Sequence, residues 1–259
     1  MRPILFEIAG FPIRAYGVFI VLAIFLGLWV AKRLATRQGY AWAAQLEDLV
    51  VWVMLAGIAG ARIWEVAFSW DEYRDYPLHA LAIWHGGLSI QGAVFGGLLG
   101  AMLFAHRRKI PIWPLVDTLA PAVVLAQGAG RLTACVFNGD AYGRPTGTSF
   151  GILYPPGSPA YMAFGPQPLW PAEIFEGLWD LAVFFFLLRL LMRKERPGTV
   201  VLWYAMLYSV GRFSLEFLRG DSLMVGGLKA AQITSLIIAV AAGAWLLLRR
   251  RTVVRHEAE

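Results

Sequence analysis

Seven apolar stretches of about 20 residues recur along the chain and restrict the folds that it can adopt. They lie at about 13–34, 46–68, 87–105, 113–136, 171–192, 198–218 and 228–248. An α-helix of roughly 20 residues crosses the hydrocarbon core of a bilayer, which is about 30 Å thick. Most of the stretches are apolar on every side, so their length, rather than their periodicity, favours membrane spans. The sequence therefore predicts an all-α membrane protein with seven transmembrane helices.

The composition agrees with a membrane protein and argues against several other classes. Only 15% of the residues are charged, whereas soluble domains usually carry about 25%. The net charge of +6 comes from short basic clusters rather than one continuous face, so we expect no nucleic-acid partner. The single cysteine, Cys135, excludes an intrachain disulfide, and no Cys/His group has metal-ligand spacing. We accordingly expect no metal and no cofactor.

Basic clusters predict the orientation of the chain. Connecting the seven stretches alternately brings four clusters to one side, and the positive-inside rule makes that side cytoplasmic. The N-terminus is then outside and the C-terminus inside. The clusters are Lys32/Arg33/Arg37, Arg107/Arg108/Lys109, Arg189/Arg193/Lys194/Arg196 and Arg249/Arg250/Arg251/Arg255.

The opposite side receives an acidic loop at 71–75, a Gly/Pro-rich segment at 138–169 and a short turn at 220–227. Six prolines make the 138–169 segment too rich in turn formers for one helix. Its many aromatic residues predict an ordered cap on the periplasmic face rather than a flexible tail. We interpret residues 1–259 as one integral membrane domain that carries this cap.

Three arginines, Arg62, Arg131 and Arg212, fall inside the predicted spans or at their outer ends. An arginine at mid-bilayer costs at least about 2.5–3.5 kcal/mol, so each should face the bundle interior or a watery cavity. Local ion pairs are an alternative explanation for two of them, Arg62 with Glu65 and Arg212 with Glu216. Arg131 has no acidic residue within one helical turn, which favours a functional role.

Arg131, Arg212 and Gln91 all fall in the outer half of the predicted bundle, where they could share one cavity. Two guanidinium groups suit a phosphate, and a phospholipid headgroup is the most available phosphate there. Tyr208 lies four residues before Arg212 on the same helix face. It could hold a phosphate ester or pass a proton, or it could simply be satisfied by a backbone carbonyl. Tyr16 is ambiguous, because interfacial tyrosines are common.

The start of the third stretch, residues 86–92, contains Ser89 and Gln91 among glycines, and Gly96 and Gly100 follow. Such glycines permit close helix packing or close approach of a ligand to the backbone. Packing alone explains Gly96 and Gly100, whereas Ser89 and Gln91 favour a polar site. Both interpretations stay open.

Several motifs, in order along nearly the whole chain, resemble the bacterial prolipoprotein diacylglyceryl transferases, seven-helix enzymes of the cytoplasmic membrane. The most specific is the family signature of Gly-Arg, a short apolar link, Asn-Gly-acid and a closing Gly. The matching residues are Gly130-Arg131-Leu132 with Asn138-Gly139-Asp140-Ala141-Tyr142-Gly143, then residues 86–92, Tyr16-Gly17, Ala61-Arg62-Ile63, and Tyr208 with Arg212-Phe213 through Glu216.

The resemblance implies transfer of a diacylglyceryl group from phosphatidylglycerol to the lipobox cysteine thiol in a prolipoprotein signal peptide. The products would be a thioether-linked precursor and glycerol 1-phosphate, made in the bacterial inner membrane without a cofactor. Arg131 would bind the lipid phosphate and Arg212 would help to activate the ester carbon. Further implied catalytic residues are Tyr208, Gln91 and Tyr16, and implied substrate-binding residues are Asn138, Gly143, Ser89, Arg62 and Glu216.

The chain departs from the family pattern at three places. Gln91 stands where the family often has a histidine assigned to take the thiol proton, and glutamine is no useful base. Either another group takes the proton or no base is needed; candidates are Glu173, Glu176, Tyr208 and His85. The link after Arg131 is one residue longer than usual and lacks its asparagine. Residues 170–176 replace a stretch commonly written His-Pro-x-x-Leu-Tyr-Glu, keeping the proline and the final glutamate.

Two other functions remain as alternatives. A catalytically altered relative would bind phospholipid or signal peptide without transfer. A transporter would require polar groups through the full bilayer thickness and often internal repeats. The sequence displays neither feature, which favours the transferase.

Overall fold

The computed structural model describes residues 4–8, 11–193 and 195–256, and most of them are helical. The helices are α1 Ala15–Arg37, α2 Leu46–Phe68, α3 Trp70–Tyr73, α4 Ile90–Arg107, α5 Ile112–Gly130, α6 Val136–Asn138, α7 Pro159–Phe164, α8 Ala172–Met192, α9 Thr199–Leu215 and α10 Ala230–His256. A π-helical turn, Arg131–Cys135, joins α5 to α6.

Each of the seven predicted apolar stretches contains one long helix. Four helical segments are long and apolar enough, by length and composition, to cross a membrane: Ala15–Arg37, Ala41–Phe68, Ile112–Asn138 and Ala230–Arg249. The protein therefore has the helical membrane architecture that the sequence predicts. Seven crossings remain a prediction.

Two short β-hairpins were not anticipated. Strand β1, Ile4–Ile8, pairs antiparallel with β2, Phe11–Arg14, directly before α1. Strand β3, Met224–Val225, pairs antiparallel with β4, Leu228–Lys229, directly before α10. Strands this short leave almost no alternating pattern in the sequence, which is why the all-α description omits them.

The described residues form two compact units. One contains residues up to Val30 and from Val116 onward; the other runs from Ala31 to Leu115. In the first unit, the Gly/Pro-rich segment folds around buried Tyr154, Ala160 and Leu169. Residues 139–169 all belong to the described part of the chain. The short helix α7 is the only helix among them.

In the first unit, small residues let α5 and α8 approach closely. A Cβ added to Gly128 would lie 3.1 Å from the Asp180 Cβ, and one added to Gly177 would lie 3.3 Å from the Gly128 carbonyl oxygen. The buried Asp117 on α5 accepts hydrogen bonds from the Gly198 and Val201 amides at 2.5 and 2.8 Å. This carboxylate satisfies orphan N–H groups at the start of α9. Helices α5, α8 and α9 are thereby brought together.

In the second unit, glycines bring α2 and α4 into contact. A Cβ added to Gly60 would lie 2.8 Å from the Gly96 Cα, and one added to Gly100 would lie 2.5 Å from the Ala56 Cβ. Such small residues at regular spacing are typical of tight membrane-helix interfaces. Packing therefore accounts for Gly96 and Gly100, the interpretation that the sequence favoured for them.

Gly96→Ala should destabilise the α2/α4 contact by about 1–3 kcal/mol, because the new methyl group overpacks against the Ala56 carbonyl. Gly97→Ala is the matched control on the same helix, since its Cβ would lie 3.5 Å from Val53. Thermal unfolding in detergent should show a lower Tm for Gly96→Ala alone. Equal Tm values for the two variants would contradict the packing argument.

Candidate active site

Three arginines of the first unit converge on one carboxylate, that of Glu176 in the second turn of α8. Arg212, in the last turn of α9, places Nη1 2.6 Å from Glu176 Oε1. Arg219 places Nη1 3.2 Å from both oxygens. Arg131 donates from Nη1 to Oε2. The structure thus brings together Arg131 and Arg212, two of the three arginines that the sequence singled out, and adds Arg219.

Further acidic groups surround this centre. Asp180 Oδ2 accepts from Arg131 Nε at 3.1 Å, and Glu216 Oε2 lies 2.9 Å from Arg212 Nη1. Asp221 pairs with Arg219. The Glu176, Asp180 and Glu216 side chains are at most 3% exposed, whereas those of Arg131 and Arg212 are 18% and 21% exposed. The acids are therefore buried behind guanidinium groups that remain partly accessible.

Arg131 and Arg212 line the same small cavity. Its floor includes Trp179, whose Nε1 donates to the Leu207 carbonyl at 3.0 Å. Gly211 leaves room for this indole, because a Cβ at that position would overlap it. The cavity residues are Arg131, Glu176, Trp179, Asp180, Tyr208, Gly211, Arg212 and Leu215.

Tyr208 belongs to the same site. Its hydroxyl accepts a hydrogen bond from Arg131 Nη2 at 3.2 Å. Its ring centroid lies 5.8 Å from that of Tyr204, whose hydroxyl donates to Gln127 Oε1 at 2.8 Å. The phenol oxygen is thus oriented by a guanidinium, which fits a role in holding or protonating a phosphate ester.

The π-helical turn gives a physical account of the longer link after Arg131. A π turn closes its hydrogen bonds one residue later than an α turn, so it absorbs an inserted residue, and such turns are frequent at functional sites. The turn begins at Arg131 and ends at Cys135. We therefore expect this turn to accommodate the longer link that the sequence predicts, and the helix continues to Asn138.

The signature segment beyond Asn138 docks onto the strand-like segment that carries Arg219. The Arg144 amide donates to the Leu218 carbonyl at 2.8 Å, and the Gly220 amide donates to the Tyr142 carbonyl at 3.1 Å. Gly143 faces Arg219 in this bridge, and a Cβ there would overlap the Trp170 backbone. The absence of a side chain at Gly143 therefore allows its backbone to pack closely against Trp170 and Arg219.

Asn138 itself makes a local contact. Its Nδ2 donates to Asp140 Oδ2 at 2.8 Å, across the turn that Gly139 makes with a φ of 69°. Tyr16, near the start of α1 in the same unit, is 40% exposed. Its phenol is close enough to Cys135 and Asp140 to interact with them electrostatically.

Buried Glu173 lies one turn before Glu176. Its Oε1 accepts from the Tyr154 hydroxyl at 2.7 Å, and its Oε2 has no hydrogen-bond partner among the described residues. Burial, and then the charge of Glu173, raise the pKa of the Tyr154 hydroxyl, which therefore stays a donor. Of the candidate bases, Glu176 is held by three guanidinium groups, whereas Glu173 forms no ion pair within 4 Å among the described residues.

Arg62, in the second unit, serves as an anchor for the loop after α2. It is 8% exposed, and a guanidinium carries five N–H donors. Their acceptors are the carbonyls of His79, Ala80, Gly86 and Gly87 at 2.6–2.8 Å and the Tyr73 hydroxyl at 3.2 Å. The local ion pair with Glu65 is not among the described contacts. Substrate binding by Arg62 stays a prediction.

Ser89 and Gln91 also lie in the second unit. Ser89 Oγ donates to Gln91 Oε1 at 2.7 Å and accepts a long hydrogen bond from the Gly92 amide at 3.5 Å, which caps α4. The Ser89 amide donates to the Ala61 carbonyl at 3.2 Å. The side chain of His85 lies outside the described part of the chain. Roles for Ser89 and Gln91 in substrate binding or catalysis stay predictions.

Sequence reasoning did not assign Asp180 or Arg219 to the site, and it treated Glu176 only as a possible base. Their positions carried usable signals. Asp180 follows Glu176 by four residues on α8 and so shares its helix face, and Arg219 follows Glu216 by only three residues. What the sequence lacked was any indication that α8 faces α5 and α9.

Comparison with known proteins assigns the chain to a family. A sequence model described as prolipoprotein diacylglyceryl transferase matches residues 3–249. The chain belongs to this family. The predicted resemblance is thereby confirmed.

Three relatives named phosphatidylglycerol–prolipoprotein diacylglyceryl transferase illustrate the similarity. The protein from Thermosynechococcus vestitus is 37% identical over 245 residues, covering 94% of this chain and 90% of its own length. That from Synechococcus elongatus is 39% identical over 247 residues, covering 93% and 84%. That from Limosilactobacillus reuteri is 35% identical over 254 residues, covering 96% and 92%.

Gly143→Ala should reduce lipid transfer by at least about tenfold, because its methyl group would push apart Trp170 and the segment that carries Arg219. Gly130→Ala is the matched control within the same signature, since its Cβ would lie 3.6 Å from a flexible Ile20 methyl group. Transfer assays on both purified variants test this. Normal activity of Gly143→Ala would show that the close approach is dispensable.

Proposed function

We propose that the protein transfers the diacylglyceryl group of phosphatidylglycerol to the lipobox cysteine of prolipoproteins, forming a thioether and releasing glycerol 1-phosphate. Family membership makes it a transferase of lipoprotein maturation. The observation that carries the residue assignment is the cavity shared by Arg131 and Arg212. The two guanidinium groups are partly exposed there, as a site for a lipid phosphate requires.

Phosphate binding is the first task of the site. Arginine recognises phosphate oxygens through a planar fork of N–H donors, and such charge-assisted bonds are stronger in a site shielded from water. We assign the phosphate to Arg131 and the activation of the ester carbon to Arg212. Tyr208, hydrogen-bonded to Arg131, would orient the phosphate from α9.

Carbon–sulfur bond formation is the second task. The cysteine sulfur attacks the glyceryl carbon, the carbon–oxygen bond to phosphate breaks, and the electron pair leaves on the phosphate oxygen. Guanidinium groups that face this oxygen stabilise its developing charge. The thiol proton leaves on the phosphate monoester, which can bind it and then release it to water because the second pKa of such an ester is about 6. Because the leaving group can take the proton, the mechanism needs no histidine at position 91.

We assign supporting roles to the other predicted residues. Glu216 holds Arg212, and Gly143 positions the segment that carries Arg219. Asn138 and Tyr16 lie near the signature turn in the same unit. We further assign lipid or peptide binding to Arg62, Ser89 and Gln91.

The proposed setting is the bacterial inner membrane. Seven crossings, with the N-terminus outside and the C-terminus in the cytoplasm, agree with the seven long helices and the four basic clusters. The 138–169 segment would then form the periplasmic cap of a single membrane domain. Substrates would be phosphatidylglycerol and signal peptides with a lipobox cysteine, both of which reach this face.

Arg131→Ala should reduce transfer to a lipobox peptide in phosphatidylglycerol vesicles by at least about a hundredfold, because it removes a donor to the departing phosphate. Arg108→Ala is the control, since Arg108 makes an exposed ion pair with Asp48. Labelled lipid on the peptide is the measurement, with circular dichroism to verify folding. Retained activity in folded Arg131→Ala would overturn the phosphate role.

Arg212→Lys should also be severely impaired, because the point charge of an ammonium cannot reproduce the planar fork of N–H donors that a guanidinium presents to phosphate oxygens. We expect kcat to fall more than the apparent affinity for phosphatidylglycerol, as for an interaction made mainly in the transition state. Steady-state kinetics with varied lipid content measures both. A change confined to KM would place Arg212 in ground-state binding only.

A further inference from the structure

Glu176 occupies the position in the site where an anion is best stabilised. All three arginines of the cluster donate to its two oxygens, whereas Asp180 pairs with Arg131 and Glu216 pairs with Arg212 and Arg219. Glu176 also lines the cavity. A carboxylate and a phosphate each present oxygens to guanidinium forks, so they compete for the same donors.

The arginines of the cluster are already paired without a ligand. Among the described residues, Arg131, Arg212 and Arg219 form ion pairs with four carboxylates, those of Glu176, Asp180, Glu216 and Asp221. Lys229 Nζ donates to the backbone carbonyls of Glu216 and Arg219 at 2.5 and 3.2 Å. A phosphate that entered this largely buried cluster would bring a further negative charge to arginines that already hold carboxylates, which is costly at low dielectric.

The directions of the arginine N–H groups also indicate that a phosphate must displace Glu176. Arg131 directs Nε to Asp180, Nη1 to Glu176 and Nη2 to Tyr208. The ion pairs of Arg212 run through Nη1 to Glu176 and Glu216. A phosphate in the cavity can gain the best-placed donors of both arginines only if Glu176 gives them up.

We propose that Glu176 is an internal substitute for the substrate phosphate: its carboxylate holds the three guanidinium groups in position until a phosphate ester replaces it. This inference rests on the proposed function. Glu176 is thus a positioning residue that competes with the ligand. Binding proceeds by exchange of one anion for another, with Glu176 moving away from the arginines.

The test compares Glu176→Gln with Asp48→Asn, which also removes one carboxylate but from an exposed ion pair with Arg108 outside the cluster. In nanodiscs containing phosphatidylglycerol, Glu176→Gln should lower KM for the lipid about tenfold, the effect of one charge-assisted hydrogen bond. Its kcat should fall, because the arginines lose their template. Asp48→Asn should change KM by less than about threefold. An unchanged or higher KM in active Glu176→Gln would overturn the proposal.

A second variant keeps the proposal testable if Glu176→Gln folds poorly. Glu176→Ala leaves a space between three guanidinium groups, and glycerol 1-phosphate should fill it. In phosphatidylcholine nanodiscs, this soluble ester should raise the Tm of Glu176→Ala more than that of wild type. Phosphatidylglycerol nanodiscs without the soluble ester should do the same if the lipid headgroup is the ligand. Failure of both anions to stabilise the variant more than wild type would overturn the proposal.

The two proposals fail in different ways. Absence of transfer by the wild-type protein would sink the proposed function. Normal wild-type transfer, combined with variants of Glu176 that show neither tighter lipid binding nor anion rescue, would sink only the exchange.

Discussion

The buried ion cluster around Glu176 is the interaction on which the rest of this unit depends. Isolated charges cannot remain in a low-dielectric interior, so guanidinium groups and carboxylates must be placed together with near-ideal geometry. The partners come from the end of α5, from α8, and from the end of α9 with its following segment. These elements are therefore constrained to meet at one point, and a partly exposed cationic face is left beside a cavity.

Close backbone packing makes that meeting possible. Membrane helices associate through van der Waals contact rather than a hydrophobic driving force, so small residues decide where they can approach. Gly128 and Gly177 allow α5 and α8 to touch, and Gly211 leaves room for Trp179 at the cavity. The π turn at Arg131 continues the helix towards Asn138, and Gly143 lets the signature segment dock beside Arg219. The glycines that allow close packing thus lie beside the residues that form the ion pairs.

The sequence predicted the helical membrane architecture because length and apolarity are local properties. Arg131 and Arg212 were identifiable for a similar reason, since a charge within an apolar stretch is conspicuous. Arg62 shows the limit of that reasoning: the same signal marked it, yet its guanidinium is occupied by loop carbonyls and Tyr73. The free-energy cost of burying an arginine indicates that its guanidinium has partners. It does not tell whether those partners belong to a ligand or to the protein.

The amino-acid sequence by itself determined the apolar helices, the likeness to a transferase family and the two arginines expected to meet a phosphate. Tertiary structure alone decided that Glu176 joins those arginines, that Asp180 and Arg219 complete the cluster, and that Arg62 anchors a loop. The physical reason is distance along the chain. Ion pairs such as Arg131 with Glu176 connect residues 45 positions apart, and no local pattern records which faces of two helices will pack together.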